Sequence, residues 1–247
     1  MTQSSASPRV ALVTGGSGGI GSAIVARLVE DGFAVAVHYA GNPGRADAIV
    51  EQASSAGGRA IAVGGDLADE QAMTAVFDTV EHAFGGVDVV INTAGIMLLS
   101  TIADLDLDEL DRMHRVNIRG TFVVAKLAAQ RLRGGGALIT MSTSQTRLQH
   151  PTYGAYAASK AAVENLTMVL ARELRGRDIT VNAIAPGPTA TDLFFNGKDQ
   201  AMIDRLAALP PLERLGRPED IATVAAFLAG PARWINGQVL FANGGVA

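Results

Sequence analysis

Tyr156 and Lys160 stand four residues apart in Tyr156-Ala-Ala-Ser-Lys160, inside an Ala-rich run that reads as helix. That spacing puts both side chains on one helical face, with Cβ atoms roughly 5–6 Å apart. An ammonium beside a phenol stabilises the phenolate, pulls the tyrosine pKa below its reference of about 10 and lets the hydroxyl exchange a proton near neutrality. The pair is an acid/base device when it faces a cleft; on an open helix surface the ammonium would simply sit in water. The chain has only Lys126, Lys160 and Lys198 and only Tyr39, Tyr153 and Tyr156, so a chance pairing at this spacing is uncommon. Tyr153 has Ala157 at its own i+4 position and is expected to line the pocket instead.

The elements that must position this pair can be read outward from it. Val10-Ala-Leu-Val13 reads as a short buried strand, Thr14-Gly-Gly-Ser-Gly-Gly-Ile-Gly21 follows, and residues 22–30 continue as helix. Strand, glycine loop, helix is a phosphate site: Gly15 permits the tight turn, Gly19 lets backbone approach a pyrophosphate, and Gly21 allows close packing of helix on strand. Further apolar runs at 34–37, 60–63, 87–91, 137–141, 179–184 and 239–241 read as strands with helical stretches between them. This alternation predicts an α/β fold: one doubly wound, Rossmann-type domain with a parallel sheet of about seven strands and helices on both faces. Asp69 and Pro218-Glu-Asp220 mark helix starts, and Gly57-Gly58, Gly85-Gly86 and Gly134-Gly-Gly136 mark turns. The expected organisation is a disordered tail at residues 1–8, one domain at 9–247, and a hinged substrate lid at 192–209.

Composition narrows the function. With 247 residues, 48% of them hydrophobic, the chain suits one domain with a large core. A net charge of −4 offers no basic field for nucleic acid. The absence of cysteine removes a disulfide framework, a thiol nucleophile and a thiolate metal site. His38, His82, His114 and His150 lack metal-ligand spacing and read as surface or pocket residues, so no metal is expected. No run of about 18 apolar residues occurs, and a cytoplasmic location without membrane contact is expected. Met113, Val116, Asn117, Gly120 and Val124 fall on one helical stripe, where an asparagine must find polar partners. The helix at 155–172 is apolar nearly all round, with Ala157, Ala161 and Leu166 not all able to face the sheet that Val163 and Leu170 cover. A homo-tetramer is the expectation, with the apolar stretch at 234–241 as a second interface.

The spacing Gly15-x-x-x-Gly19-x-Gly21, together with Tyr156 and Lys160, resembles the short-chain dehydrogenase/reductase family. The resemblance runs from residue 9 to residue 247 through separated motifs in the family's order. Asn92-Thr-Ala-Gly95 is similar to its Asn-Asn-Ala-Gly, Asp66 stands where the family places an adenine-contacting aspartate, and Asn117 lies in Arg115-Val-Asn-Ile118. Pro186-Gly187 with Thr189 and Thr191 resembles the loop that holds a nicotinamide. The stretches at 179–187 and 217–221 look closest to the beta-ketoacyl reductase and trihydroxynaphthalene reductase branch.

The resemblance implies a nicotinamide cofactor with its pyrophosphate on residues 15–20, including Ser17 and Ile20. Its adenine would lie near Asp66 and Leu67, its ribose beside Asn92 with Ala94 and Gly95, and its nicotinamide above Tyr156 and Lys160. The end of the second strand offers Tyr39 and Asn42 and no carboxylate, while Ser17, Asn42 and Arg45 could contact a 2′-phosphate. NADP(H) is therefore expected ahead of NAD(H). The implied reaction is hydride transfer between the cofactor and a carbonyl or secondary alcohol on a mainly apolar substrate, a ketoacyl thioester or a cyclic or aromatic ketone. Tyr156 would act as the acid and Lys160 would lower its pKa and hold the ribose. Asn117 either is satisfied by backbone or holds a water between itself and Lys160 in a proton relay.

The hydroxyl that steadies the carbonyl is expected at Ser142, with Thr143 and Ser144 as alternatives: a spacing of 13 residues to the tyrosine selects Thr143, and one of 14 selects Ser142. Ile96-Met97-Leu98, Leu193-Phe-Phe195, Met202 and Leu206 are the expected apolar pocket and lid. A catalytically silent NADP-binding sensor or scaffold is the other class this fold serves, and such proteins usually lose the tyrosine or the lysine.

Overall fold

Each run expected as a strand pairs with its neighbours in the computed structural model, which describes residues 7–247. In chain order the elements are β1 (Val10–Thr14), α1 (Gly19–Glu30), β2 (Ala34–Tyr39), α2 (Pro43–Ser55), β3 (Arg59–Gly64), α3 (Glu70–Phe84), β4 (Val87–Asn92), α4 (Leu107–His114), a π turn (Arg115–Arg119), α5 (Gly120–Arg131), β5 (Leu132–Met141), α6 (Gln145–Leu148), α7 (Gly154–Glu173), β6 (Thr180–Pro186), α8 (Asp192–Phe195), α9 (Gln200–Ala208), α10 (Pro218–Ala229) and β7 (Val239–Ala242). The tail expected at residues 1–8 falls, for residues 1–6, outside the described residues. Among the described residues no helix is long and apolar enough to cross a membrane.

The seven strands form one parallel sheet in the order β3-β2-β1-β4-β5-β6-β7. Alternate residues of a strand point to opposite faces, so Val10 and Leu12 join a core with Phe77, Val124 and Leu170 from α3, α5 and α7. Ala11 and Val13 join a second core with Ile24 and Leu28 of α1 and Ile221 and Ala225 of α10. Burial on both faces is why the strands read as continuous apolar runs instead of alternating ones. Strand order reverses between β1 and β4, which opens a crevice above Thr14 and Asn92. Asp69 caps α3 by accepting from Gln71 N and Ala72 N, and Asp220 returns to Arg217 N to start α10.

Three expectations change. The glycines at 134–136 lie within β5 and not in a turn; the register with β4 slips between Val87 and Val89, and Gly135 takes φ +80°, so three extra residues of β5 are absorbed as an irregularity in the ladder. The stripe around Asn117 is interrupted by the π turn Arg115–Arg119. Leu166 is buried with Leu170 in the chain's own core, and the apolar side chains of α7 left outside are Ala158, Ala161, Met168 and Val169.

Candidate active site

Tyr156 and Lys160 share the inward face of α7 and are almost entirely buried, 9% and 5% exposed. Lys160 Nζ donates to the Met141 carbonyl at the end of β5 (2.9 Å) and lies 5.9 Å from the centroid of the Tyr156 ring. Burial pushes the phenol up to about 12, with a hydrogen bond to Thr143 pulling the other way. Burial also pushes the ammonium down to about 8. The sequence argument expected a lowered phenol; loss of water around the phenolate outweighs its neighbours, so both groups are held closer to their neutral forms.

The trio Ser142-Thr143-Ser144 leaves the end of β5 with each hydroxyl on a different partner. Ser142 Oγ donates to Glu164 Oε1 (2.5 Å), and Ser144 Oγ lies against the Ala185 carbonyl (3.4 Å) and accepts from Asn243 Nδ2 (3.1 Å). Thr143 lines the cavity with Tyr156 and is the hydroxyl near enough to the phenol to pull against the effect of burial. Ser142, expected at that place, lines the same cavity as Tyr156, but its hydroxyl donates to Glu164 on α7.

Asn117 is fully buried in the π turn. Its Nδ2 donates to the Ile96 carbonyl (2.9 Å) and Ser159 Oγ (3.0 Å), and its Oδ1 accepts from Ile96 N (2.9 Å), so the side chain is satisfied by protein. Lys160 Nζ and Asn117 Oδ1 both flank Gly95, where a Cβ would sit 3.1 and 3.2 Å from them. Asn92 is turned inward: it is 2% exposed, accepts from Thr14 Oγ1 (2.6 Å) and donates to Thr121 Oγ1 (3.0 Å). It therefore meets the crevice through its backbone alone. Leu67 likewise is buried under Gly120, while the Asp66 carboxylate is gripped by Arg115 (2.7 and 3.2 Å), which holds it well below the usual carboxylate range.

The glycine loop is built to approach an anion. Gly15 has φ +66° and passes so close to the chain just beyond β4 that a Cβ would come 2.8 Å from the Ala94 backbone; a Cβ on Gly21 would collide with the Gly15 carbonyl oxygen. Gly18, the N-cap of α1, brings no side-chain bond, and the first turn carries no acidic residue, so the leading N–H groups of α1 are left for an anionic group. Ser17 and Ile20 are half-buried in this loop. At the other end of the crevice Thr189 Oγ1 donates to the Gly187 carbonyl (2.9 Å), and Thr191 accepts from Phe194 N (3.2 Å) to cap α8. Pro186, Gly187, Thr189 and Thr191 border one cavity with Tyr156 and Lys160, closed by Met97, Leu193, Phe194 and Leu206. Met202 is 40% exposed and Leu206 9%, so only the second faces inward. At the end of β2, Tyr39 lies over Gly64, Asn42 caps α2 by accepting from Gly44 N (3.0 Å), and the exposed Arg45 reaches Asp192 (3.5 Å). These residues fit a dinucleotide: a bare helix N-terminus for the diphosphate and no carboxylate where β2 ends.

His38 went unnoticed in the sequence as anything but a surface or pocket residue. It is 1% exposed, on β2, and joins two loops of the crevice: Nε2 meets the Gly65 carbonyl (3.0 Å) and Nδ1 faces Gly15 N (3.4 Å). Gly15 N–H can only donate, so Nδ1 must accept and Nε2 must carry the proton. The signal available was a lone histidine inside an apolar strand next to a glycine loop.

A parallel doubly wound sheet, a glycine loop opening its first helix and a buried Tyr/Lys pair in the same crevice define a dinucleotide-dependent oxidoreductase class. The family model described as Enoyl-(Acyl carrier protein) reductase matches residues 15–247. A "Short-chain type dehydrogenase/reductase" of Picea abies is 44% identical over 96% of this chain and 92% of its own length. An Arabidopsis thaliana "NADPH-dependent aldehyde reductase-like protein, chloroplastic" is 40% identical over 96% and 93%. A short-chain dehydrogenase from Burkholderia cenocepacia, solved in complex with NADP, superposes with a TM-score of 0.90 at 40% identity, covering 96% of this chain and 97% of the other. The chain belongs to the short-chain dehydrogenase/reductase family.

Burial lowers the His38 pKa to about 4. The folded state thus binds fewer protons than the unfolded state between pH 6.5 and 4, and stability falls as pH drops through that window, by about 3 kcal/mol for a displacement of this size. Urea unfolding of wild type and His38→Asn across pH 4–7 should give curves that converge toward low pH as the wild type loses this contribution. Parallel curves would show an imidazole that titrates normally.

Proposed function

We propose that this protein is an NADP(H)-dependent oxidoreductase that interconverts a carbonyl and a secondary or primary alcohol on a mainly apolar substrate. The observation that carries the reading is the buried Tyr156 phenol with Lys160 on one side and the Thr143 hydroxyl on the other, at the foot of a crevice whose far end is a bare helix N-terminus. The relatives named for NADPH or bound to NADP, and the absence of a carboxylate where β2 ends, support NADP(H) over NAD(H). The cofactor, when bound, supplies or accepts the hydride.

The rest of the chemistry belongs to side chains. Thr143 donates a hydrogen bond to the substrate oxygen as negative charge grows there, and Tyr156 delivers its proton to that oxygen. A phenol kept protonated by burial is in the right state to donate, and Lys160, its own proton loosened toward neutrality, stands ready to replenish it. Asn117 holds the Ile96 backbone and Ser159, which fixes the floor on which Tyr156 and Lys160 rest. Residues 192–209 act as the lid: Leu193, Phe194 and Leu206 bring an apolar wall over the cavity and keep water from it. The assembly is a homo-tetramer, supported by the exposed apolar side chains Phe122 on α5 and Met168 and Val169 on α7.

Purified protein should oxidise NADPH faster than NADH with a panel of aldehydes, cyclic ketones and quinones; inertness toward the whole panel with both cofactors would remove the reading. Tyr156→Phe should lower kcat by about 10²–10⁴-fold. Thr143→Ala should cost roughly 10²-fold and Ser142→Ala distinctly less, the reverse order returning the role to Ser142. Light scattering at micromolar concentration should give four chain masses, and a monomer would reject the assembly.

A further inference from the structure

The turn after β5 presents three hydroxyls in a row and needs only one of them in the cavity. All three are buried, so each must find a partner, and what selects the one that reaches the reacting atoms is where the other two are tied. Ser144 is tied to β6 and to Asn243 beyond β7. Ser142 is tied to Glu164, and so is Thr146: its Oγ1 lies 2.9 Å from Glu164 Oε1 and 3.0 Å from the Thr143 carbonyl oxygen. One carboxylate oxygen therefore grips the chain immediately before Thr143 and again three residues after it.

Glu164 stands eight residues beyond Tyr156 and four beyond Lys160 on the same helix, so this grip fastens the hydroxyl loop to the element that carries the phenol. A carboxylate can only accept. Ser142 must turn its proton toward it, while the single Thr146 proton is shared between the carboxylate and the Thr143 carbonyl; this removes Ser142 as a donor to the cavity and leaves Thr143 facing Tyr156. Among the described residues the side-chain hydrogen bonds of Glu164 go to these hydroxyls alone.

We propose that Glu164 is a positioning residue of the reaction, clamping Ser142 and Thr146 so that the Thr143 hydroxyl is aimed at the phenol and the substrate oxygen; the proposal rests on the role of Thr143 argued above. Glu164→Gln keeps an oxygen that accepts at the same reach, whereas Glu164→Met keeps the length and removes the acceptor. The Met variant should lose roughly 10- to 100-fold in kcat, the cost of a hydroxyl misplaced by about an ångström. The Gln variant should stay within about threefold of wild type. NADPH affinity measured by cofactor fluorescence should be unchanged in both, since the clamp lies outside the glycine loop.

In a Thr143→Ala background the Met substitution should cost almost nothing further, because the group it aims is already gone. Should the Met variant fail to fold, the paired Ser142→Ala, Thr146→Val variant releases the same grip from the loop side and should show the same fall in kcat. A Gln variant as impaired as Met, a Met loss that persists in full beside Thr143→Ala, or an unimpaired Met or paired variant in an enzyme that Thr143→Ala does impair would each overturn the clamp while leaving Thr143 in place. An unimpaired Thr143→Ala enzyme would instead remove the hydroxyl's role and the clamp together.

Discussion

Taking a phenol and an ammonium out of water disfavours the charged form of each, and α7 does this to both at once by pressing the face that bears Tyr156 and Lys160 against β5, β6 and the π turn. A side chain on the next helical position would stand about 100° away and miss the cavity. The four-residue register is thus the constraint to which the surrounding parts answer. The end of β5 supplies the Met141 carbonyl for the amine, the turn after β5 supplies the threonine for the phenol, and Gly95 must lack a side chain because Lys160 and Asn117 already fill the space beside it.

The floor of the crevice is a polar chain, and buried polar groups persist in proteins only when each has a partner. Thr14 at the end of β1 donates to Asn92 at the end of β4, Asn92 donates to Thr121 on α5, and Thr121 donates to the Asn117 carbonyl in the π turn. The two strands on either side of the switch point are thereby locked to the helix that supports Tyr156 and Lys160. His38 makes the corresponding tie on the nucleotide side, between the glycine loop and the turn that begins with Gly65. Neither tie touches a reacting atom, yet together they determine how the two halves of the crevice face each other.

Much of this was legible from the chain alone. The strands were, because burial on both sheet faces leaves long apolar runs, and the Tyr/Lys pair was, because helical spacing is local. What escaped reading depends on partners remote in sequence. Which of three adjacent hydroxyls faces the phenol is set by Glu164, 22 residues on from Ser142, and by Asn243, 99 residues on from Ser144. The sign of the tyrosine shift escaped because burial depth is a property of the packed molecule, not of the spacing. Asn92 read as a crevice side chain because its motif sits at the crevice, while its side chain answers to Thr14 and Thr121 behind it. Arg115-Val-Asn-Ile-Arg119 carries no glycine or proline, so nothing in its composition separates a π turn from ordinary helix.

A π turn is a helix with one residue too many. Met113 before it packs in the apolar cluster under Tyr156, and Thr121 after it closes the polar chain to Asn92; both are correctly aimed only because Arg115–Arg119 absorbs the surplus. Removing any single residue there would let the helix relax to a regular pitch and rotate one of the two out of place by about 100°. Chain length is therefore itself an encoded quantity in this segment: exposed loops such as the one at Gly41 and Asn42 can grow or shrink without disturbing the sheet, whereas between Met113 and Thr121 the number of residues is held as firmly as the identity of Asn117.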